Sequence, residues 1–78
     1  MVSSPAIASF PNRLKELRKN KGVTQKSMSE FLEITETSYQ YYEYGKREPN
    51  HGMTIKLADF FDVSLDYLMG RSDNPGQS

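Results

Sequence analysis

Between Thr35 and Gly45 the chain reads Thr-Glu-Thr-Ser-Tyr-Gln-Tyr-Tyr-Glu-Tyr-Gly, a run of carboxylate, hydroxyl, amide and phenol groups without a lysine or arginine. Wound as a helix, at about 100° per residue, it places Tyr39 and Tyr42 with Thr35 on a side suited to a core. Glu36, Thr37, Gln40, Tyr41 and Tyr44 then fall within an arc of about 140° on the opposite side. That free arc carries hydrogen-bonding and aromatic groups. Such groups read base edges in a DNA major groove, where amides, carboxylates, hydroxyls and methyls meet the donor and acceptor pattern of each base pair. Tyr44, Lys46 and Arg47 follow directly and are placed to meet phosphates. The tyrosines also allow a stacking surface for single-stranded bases, although helical spacing assigns half of them to a core.

Other chemistries find little to stand on. The chain has no cysteine and one histidine, His51, which excludes disulfides, thiolate catalysis and cysteine-ligated zinc and leaves no metal site. The carboxylates have no nucleophile–base pair or glycine-rich phosphate loop beside them, so the expectation is no enzyme and no cofactor. A core of this size is too small to enclose a small-molecule ligand. No apolar run approaches the roughly 20 residues of a membrane span, and Met1–Phe10 makes a poor signal peptide, so the default location is the cytoplasm. Net charge is zero, from ten basic and ten acidic residues. Residues 1–50 hold eight Lys or Arg against six acids, and residues 51–78 hold two against four. The first part is mildly basic, which can orient a domain on a polyanion.

The elements that must position these groups can be read from periodicity and caps. Leu14 and Leu17 share a face ahead of a basic last turn and Gly22, predicting helix 1 over about 11–20. Thr24 caps a second helix over 25–32, with Met28, Phe31 and Leu32 on one stripe. Thr35 caps a third over 36–44, ended by Gly45. Only Glu33, Ile34 and Thr35 separate helices 2 and 3, the short connection of a helix-turn-helix. Asn50 or Thr54 caps helix 4, whose apolar residues are Ile55, Leu57, Ala58, Phe60 and Phe61. Ser64 caps a short helix 5 over 65–69, before Gly70. Phe10, Phe31, Phe60 and Phe61 are assigned to the core. The organisation expected is a flexible arm over 1–10, one domain over 11–70 and a disordered tail over 71–78.

An ordered set of short motifs carries a resemblance. Arg13-Leu-Lys-Glu-Leu-Arg18, Gly22-Val-Thr-Gln25, Ile34-Thr35, Tyr42-Glu-Tyr-Gly-Lys-Arg-Glu-Pro49, Leu57-Ala58 and Val63-Ser-Leu-Asp-Tyr-Leu68 together resemble the lambda-repressor/Cro-like, or Xre, helix-turn-helix family. The resemblance covers about residues 11–69 and implies an all-α, five-helix lambda-repressor-like bundle with helices 2 and 3 as the helix-turn-helix. It implies that Glu36, Thr37 and Tyr41, with Gln40 close by, occupy base-reading positions, and that Gln25 bonds a phosphate at the start of helix 2. It further implies a largely buried structural ion pair between Arg18 and Glu43. One position departs from the pattern. Many members carry glycine where this chain has Glu33, and a left-handed conformation there costs a non-glycine residue about 1 kcal/mol.

The implied function is sequence-specific binding of double-stranded DNA by a transcription regulator, a repressor by family habit, acting as a homodimer on a palindromic operator. Half-sites would stand about 34 Å apart, or a multiple of that. Dimer contacts are expected around helix 5, at Leu65, Tyr67 or Met69. The alternative is a protein-interaction module, such as an antitoxin-type adaptor on the same fold, favoured by net neutrality and exposed tyrosines.

Overall fold

The computed structural model describes residues 9–76. Five helices follow in order: α1 (Phe10–Lys21), α2 (Gln25–Leu32), α3 (Glu36–Tyr44), α4 (His51–Phe61) and α5 (Leu65–Leu68). No strand occurs among the described residues. Each helix starts on a side-chain cap, from Ser9, Thr24, Thr35, Asn50 and Ser64 in turn, whose oxygen accepts a backbone N–H three residues on. The first helix begins earlier than its sequence pattern suggests. Ser9 stands at its start, and Pro11 sits in the first turn, where its missing N–H costs nothing. For α4 the cap is Asn50, and the Thr54 hydroxyl instead donates to the Asn50 carbonyl at 2.9 Å.

Three of the connections repeat one device. Gly22-Val23-Thr24, Glu33-Ile34-Thr35 and Asp62-Val63-Ser64 each place a left-handed residue, an aliphatic residue and a cap in succession. The N–H groups of Val23, Ile34 and Val63 close back onto Arg18, Ser29 and Ala58 carbonyls at 3.3, 3.0 and 3.0 Å. This is the Schellman arrangement, which satisfies carbonyls that a helix end would orphan. The aliphatic side chain then packs on the core while the next residue opens a new helix. Three residues thus end one helix and start the next.

Left-handed geometry has a cost at Glu33, where φ is +60° and ψ +42°. A β-carbon disfavours this region by roughly 1–2 kcal/mol, partly offset on replacement by glycine's greater freedom in the unfolded chain. Glu33 is exposed. Glu33→Gly should therefore stabilise the domain by about 0.5–1 kcal/mol, raising Tm by about 2–8 °C. A lowered Tm on thermal melting would contradict this account of the turn.

Each helix contributes one fully buried side chain to a single core: Leu14, Met28, Tyr39, Leu57 and Leu68. Phe10, Leu32, Tyr42, Ala58 and Val63 complete it. In this core α3 packs against α1 and α2, and α4 against α1 and α5. The phenylalanines divide. Phe10 is buried, so the ordered domain includes the last residue assigned to the arm. Phe31, assigned to the core, is 41% exposed. It stands beyond the Met28–Leu32 line, at the end of α2, and stacks at 4.6 Å on the half-buried Phe60.

Arg13, counted in the sequence only as a charge, is buried. Its guanidinium lies 3.8 Å over the Tyr67 ring and reaches the Ser72 carbonyl at 3.4 Å and Asp73 at 3.6 Å. Ser64 N–H also donates to the Pro75 carbonyl at 3.2 Å. Of the expected tail, residues 71–76 thus run back over α1 and α5 through these contacts. Residues 1–8 of the expected arm and 77–78 of the tail lie outside the described residues.

Candidate nucleic-acid interface

Residues 36–44 form a helix, and their two faces separate as the periodicity requires. Tyr39 and Tyr42 are buried, with rings edge-on at 6.3 Å. Glu36, Thr37 and Tyr44 are exposed, and Gln40 and Tyr41 half-exposed. At the C-terminal end Gly45 takes the left-handed conformation, with φ +78°, and turns the chain. The Lys46 ammonium and the Arg47 guanidinium then stand 5.9 Å from the Tyr41 ring. The Tyr41 ring thereby stands near two cations at the end of a hydrogen-bonding helix face whose one formal charge is Glu36. Cations can attract phosphates, and amide, hydroxyl and carboxylate groups are of the kinds that can hydrogen-bond base edges.

Behind this face lies a buried polar cluster. The Glu43 side chain is fully inaccessible, and Arg18 donates to it through two nitrogens: Nε to Oε2, and Nη2 to Oε1 at 3.2 Å. Arg18 Nη1 also donates to the Val23 carbonyl at 3.0 Å, tying the pair to the α1–α2 connection. Tyr39 donates its hydroxyl to Glu43 Oε2 at 2.6 Å, and Gln25 donates Nε2 to Oε1 at 3.1 Å. The carboxylate therefore accepts four hydrogen bonds, from α1, α2 and α3. Among the described residues no buried side-chain polar atom lacks a partner.

The electrostatics follow. Burial alone would push the Glu43 carboxyl up, but hydrogen bonds from Arg18, Tyr39 and Gln25 outweigh it and hold the group below the ordinary carboxylate range. Burial, then the bond to Glu43, pushes the Tyr39 phenol above its usual value. The hydrogen bond to Glu43 likewise raises Arg18. A lowered carboxyl pKa stabilises the fold fully above its ordinary value of 4.5 and loses that contribution as pH falls through the folded value. A raised phenol pKa stabilises fully below its ordinary 10.0 and loses that contribution as pH rises beyond it. Stability should therefore decline on both flanks, and Tyr39→Phe should flatten the alkaline one. Chemical denaturation as a function of pH measures this; an alkaline flank unaltered by Tyr39→Phe would contradict it.

The sequence-derived site residues therefore separate. Glu36, Thr37, Tyr41 and Tyr44 share the outer face of α3, with Lys46 and Arg47 at its end. Gln25 and Gln40 meet each other: Gln40 Nε2 donates to Gln25 Oε1 at 3.2 Å. Gln25 is thus held at the first turn of α2 by contacts on two sides. The hydroxyl of Tyr39 is the group that sequence reasoning missed, because the residue was assigned to the core as an apolar ring. Its spacing of four from Glu43 on one helix was the available signal. Among the described residues no cluster of three or more His, Cys, Asp or Glu could hold a metal ion, and no helix is long and apolar enough to cross a membrane.

Comparison with known proteins agrees with this architecture. Residues 12–73 match the helix-turn-helix domain family. The chain is 43% identical over 65 residues to the uncharacterized HTH-type transcriptional regulator YqaE of Bacillus subtilis, covering 83% of this chain and 56% of that one. It is 39% identical over 59 residues to the cryptic phage CTXphi transcriptional repressor RstR of Vibrio cholerae, covering 76% and 53%. The chain thus spans about half the length of these curated relatives. Its fold superposes on the restriction-modification controller protein C.AhdI from Aeromonas hydrophila with a TM-score of 0.69 at 27% identity, covering 80% of this chain and 94% of that one. From its five-helix order, its three-residue connection between α2 and α3 and these relatives, the chain belongs to the lambda-repressor/Cro-like, or Xre, family of helix-turn-helix domains.

Proposed function

We propose that this domain is a transcription regulator that binds double-stranded DNA in a sequence-specific manner, with α3 in the major groove. The observation that carries the reading is the outer face of α3. Glu36, Thr37, Gln40 and Tyr41 stand there beside the Lys46 and Arg47 turn and the N-terminus of α2, where Gln25 sits. Glutamate accepts from cytosine N4, threonine meets a thymine methyl, and the flanking cations and helix N-terminus hold phosphates. Tyr44, 56% exposed, adds a hydroxyl on the phosphate side. The arrangement performs no bond chemistry. It acts by occupying a site and blocking polymerase, as a repressor in the cytoplasm, a role in keeping with that of the phage transcriptional repressor RstR.

Two copies would read a two-fold-symmetric operator with half-sites about 34 Å apart or a multiple of it. Of the residues expected at the dimer contact, Leu65 is exposed, whereas Tyr67 lies under Arg13 and Met69 packs partly on the core. Of those three, Leu65 is thus the one that offers open apolar surface to a second copy. Selection of bound duplexes from a random pool at near-physiological salt tests the reading. Enrichment of a palindrome supports it. No enrichment by folded protein overturns it and favours a protein-interaction module, for which the exposed Phe31 stacked on Phe60, with Lys56 5.8 Å from the Phe31 ring, offers a surface.

A further inference from the structure

The two ends of a glutamine amide have opposite hydrogen-bonding character and nearly the same shape, so an isolated glutamine can turn either way to suit its ligand. Gln40 is not isolated. We propose that Glu43, acting through Gln25, sets the orientation of the Gln40 amide, so that Gln40 selects a base with a major-groove amino group, adenine or cytosine. This rests on the reading of α3 as the recognition helix.

The argument runs outward from the core. A buried carboxylate clasped by a guanidinium is ionised and can only accept hydrogen bonds. Gln25 must therefore turn its NH2 toward Glu43, as it does at 3.1 Å. That leaves the Gln25 carbonyl to face Gln40, which must answer with its own NH2, as it does at 3.2 Å. The Gln40 oxygen has no hydrogen bond from the described residues and belongs to the half-exposed outer side of α3. Turning Gln40 over would set oxygen against oxygen at Gln25. Turning both would set an amide oxygen against the Glu43 carboxylate. A negative charge in the core thus dictates the sign of a hydrogen-bonding group two hydrogen bonds away.

An outward acceptor asks for a donor. In the major groove adenine offers N6–H and cytosine N4–H, while guanine and thymine offer acceptors at O6 and O4. The second hydrogen on Gln40 Nε2 adds only a contact beside that acceptor, which suits the adjacent N6 and N7 of adenine. Gln25 is here a positioning residue for Gln40, whatever contact it makes to a phosphate.

Three selections from one random duplex pool test this, with wild type, Gln40→Ala and Gln25→Leu, each shown to be folded. Gln40→Ala identifies the position that Gln40 reads. Wild type should prefer adenine or cytosine there over the alternatives by about 5- to 100-fold. In Gln25→Leu the freed Gln40 amide turns either way, and that preference should fall to within about twofold, while the neighbouring positions keep theirs. In the DNA-free protein the Gln40 side-chain amide proton resonance should move upfield in Gln25→Leu. A wild-type preference for guanine or thymine, an unchanged preference in Gln25→Leu, or no position lost in Gln40→Ala overturns the proposal and leaves DNA recognition by α3 standing. No enriched motif for wild type overturns both.

Discussion

Glu43→Ala should cost the domain about 3–5 kcal/mol, because it strands the Arg18 guanidinium in a site built for a carboxylate. The side chains of Arg18 and Glu43 are 12% and 0% exposed, so water can restore little of what Arg18 loses. The loss extends further, since the Tyr39 hydroxyl and the Gln25 amide also give up their acceptor. A chain of 78 residues has a total stability of roughly 4–12 kcal/mol, so one substitution removes much of it. Thermal melting should show Tm lowered by more than about 10 °C. The double variant Arg18→Met/Glu43→Ala should be less destabilised than the sum of its single variants, because the charge that needed a partner is gone. A melting curve for Glu43→Ala superimposable on that of wild type would refute the account.

The second large effect concerns recognition. Thr37→Ala/Tyr41→Ala should weaken binding to the selected operator by about 30-fold to 10⁴-fold, as each lost base contact is worth about 1–3 kcal/mol. Neither side chain is buried, so the variant should melt within a few degrees of wild type. The contacts to phosphate remain, so binding to unrelated DNA and the slope of log affinity against log salt should be unchanged. Titration of operator and scrambled duplexes at several salt concentrations separates these terms. Equal losses on both duplexes would mean that the two residues hold the backbone and do not read bases.

Much of the architecture was legible because the signals are local. Thr24, Thr35 and Ser64 announce helix starts, since a hydroxyl at that position accepts an N–H that the helix leaves free. The spacing of Tyr39 and Tyr42 predicts which side of α3 is inward, and both are buried. The family resemblance marks Glu33 as a departure from glycine, and the residue takes the left-handed conformation that makes it one. Phe31 and Arg13 were read less well. Local pattern assigned Phe31 to the core, where it is 41% exposed, and gave no sign that Arg13 would be buried. Arg13 is buried because its charge finds the Tyr67 face and groups at Ser72 and Asp73 from the far end of the chain. Phe31 is exposed because it falls beside the i, i+4 line of Met28 and Leu32 that enters the core, and it packs on the half-buried Phe60 instead.

The sequence by itself determined the helices, their order and the polarity of each face, since caps, left-handed stops and a 3.6-residue period act within a few residues of one another. It also supplied the chemistry of the outer face of α3, which depends only on residue type and helical phase. The tertiary structure alone decided what meets what. Whether Gln25 turns to solvent or to Glu43, whether Tyr39 is an inert ring or a hydrogen-bond donor, and which end of Gln40 is left for a ligand depend on contacts among three helices. Hydrogen-bond direction is a property of pairs, and the pairs are made only when α1, α2 and α3 close around one buried carboxylate.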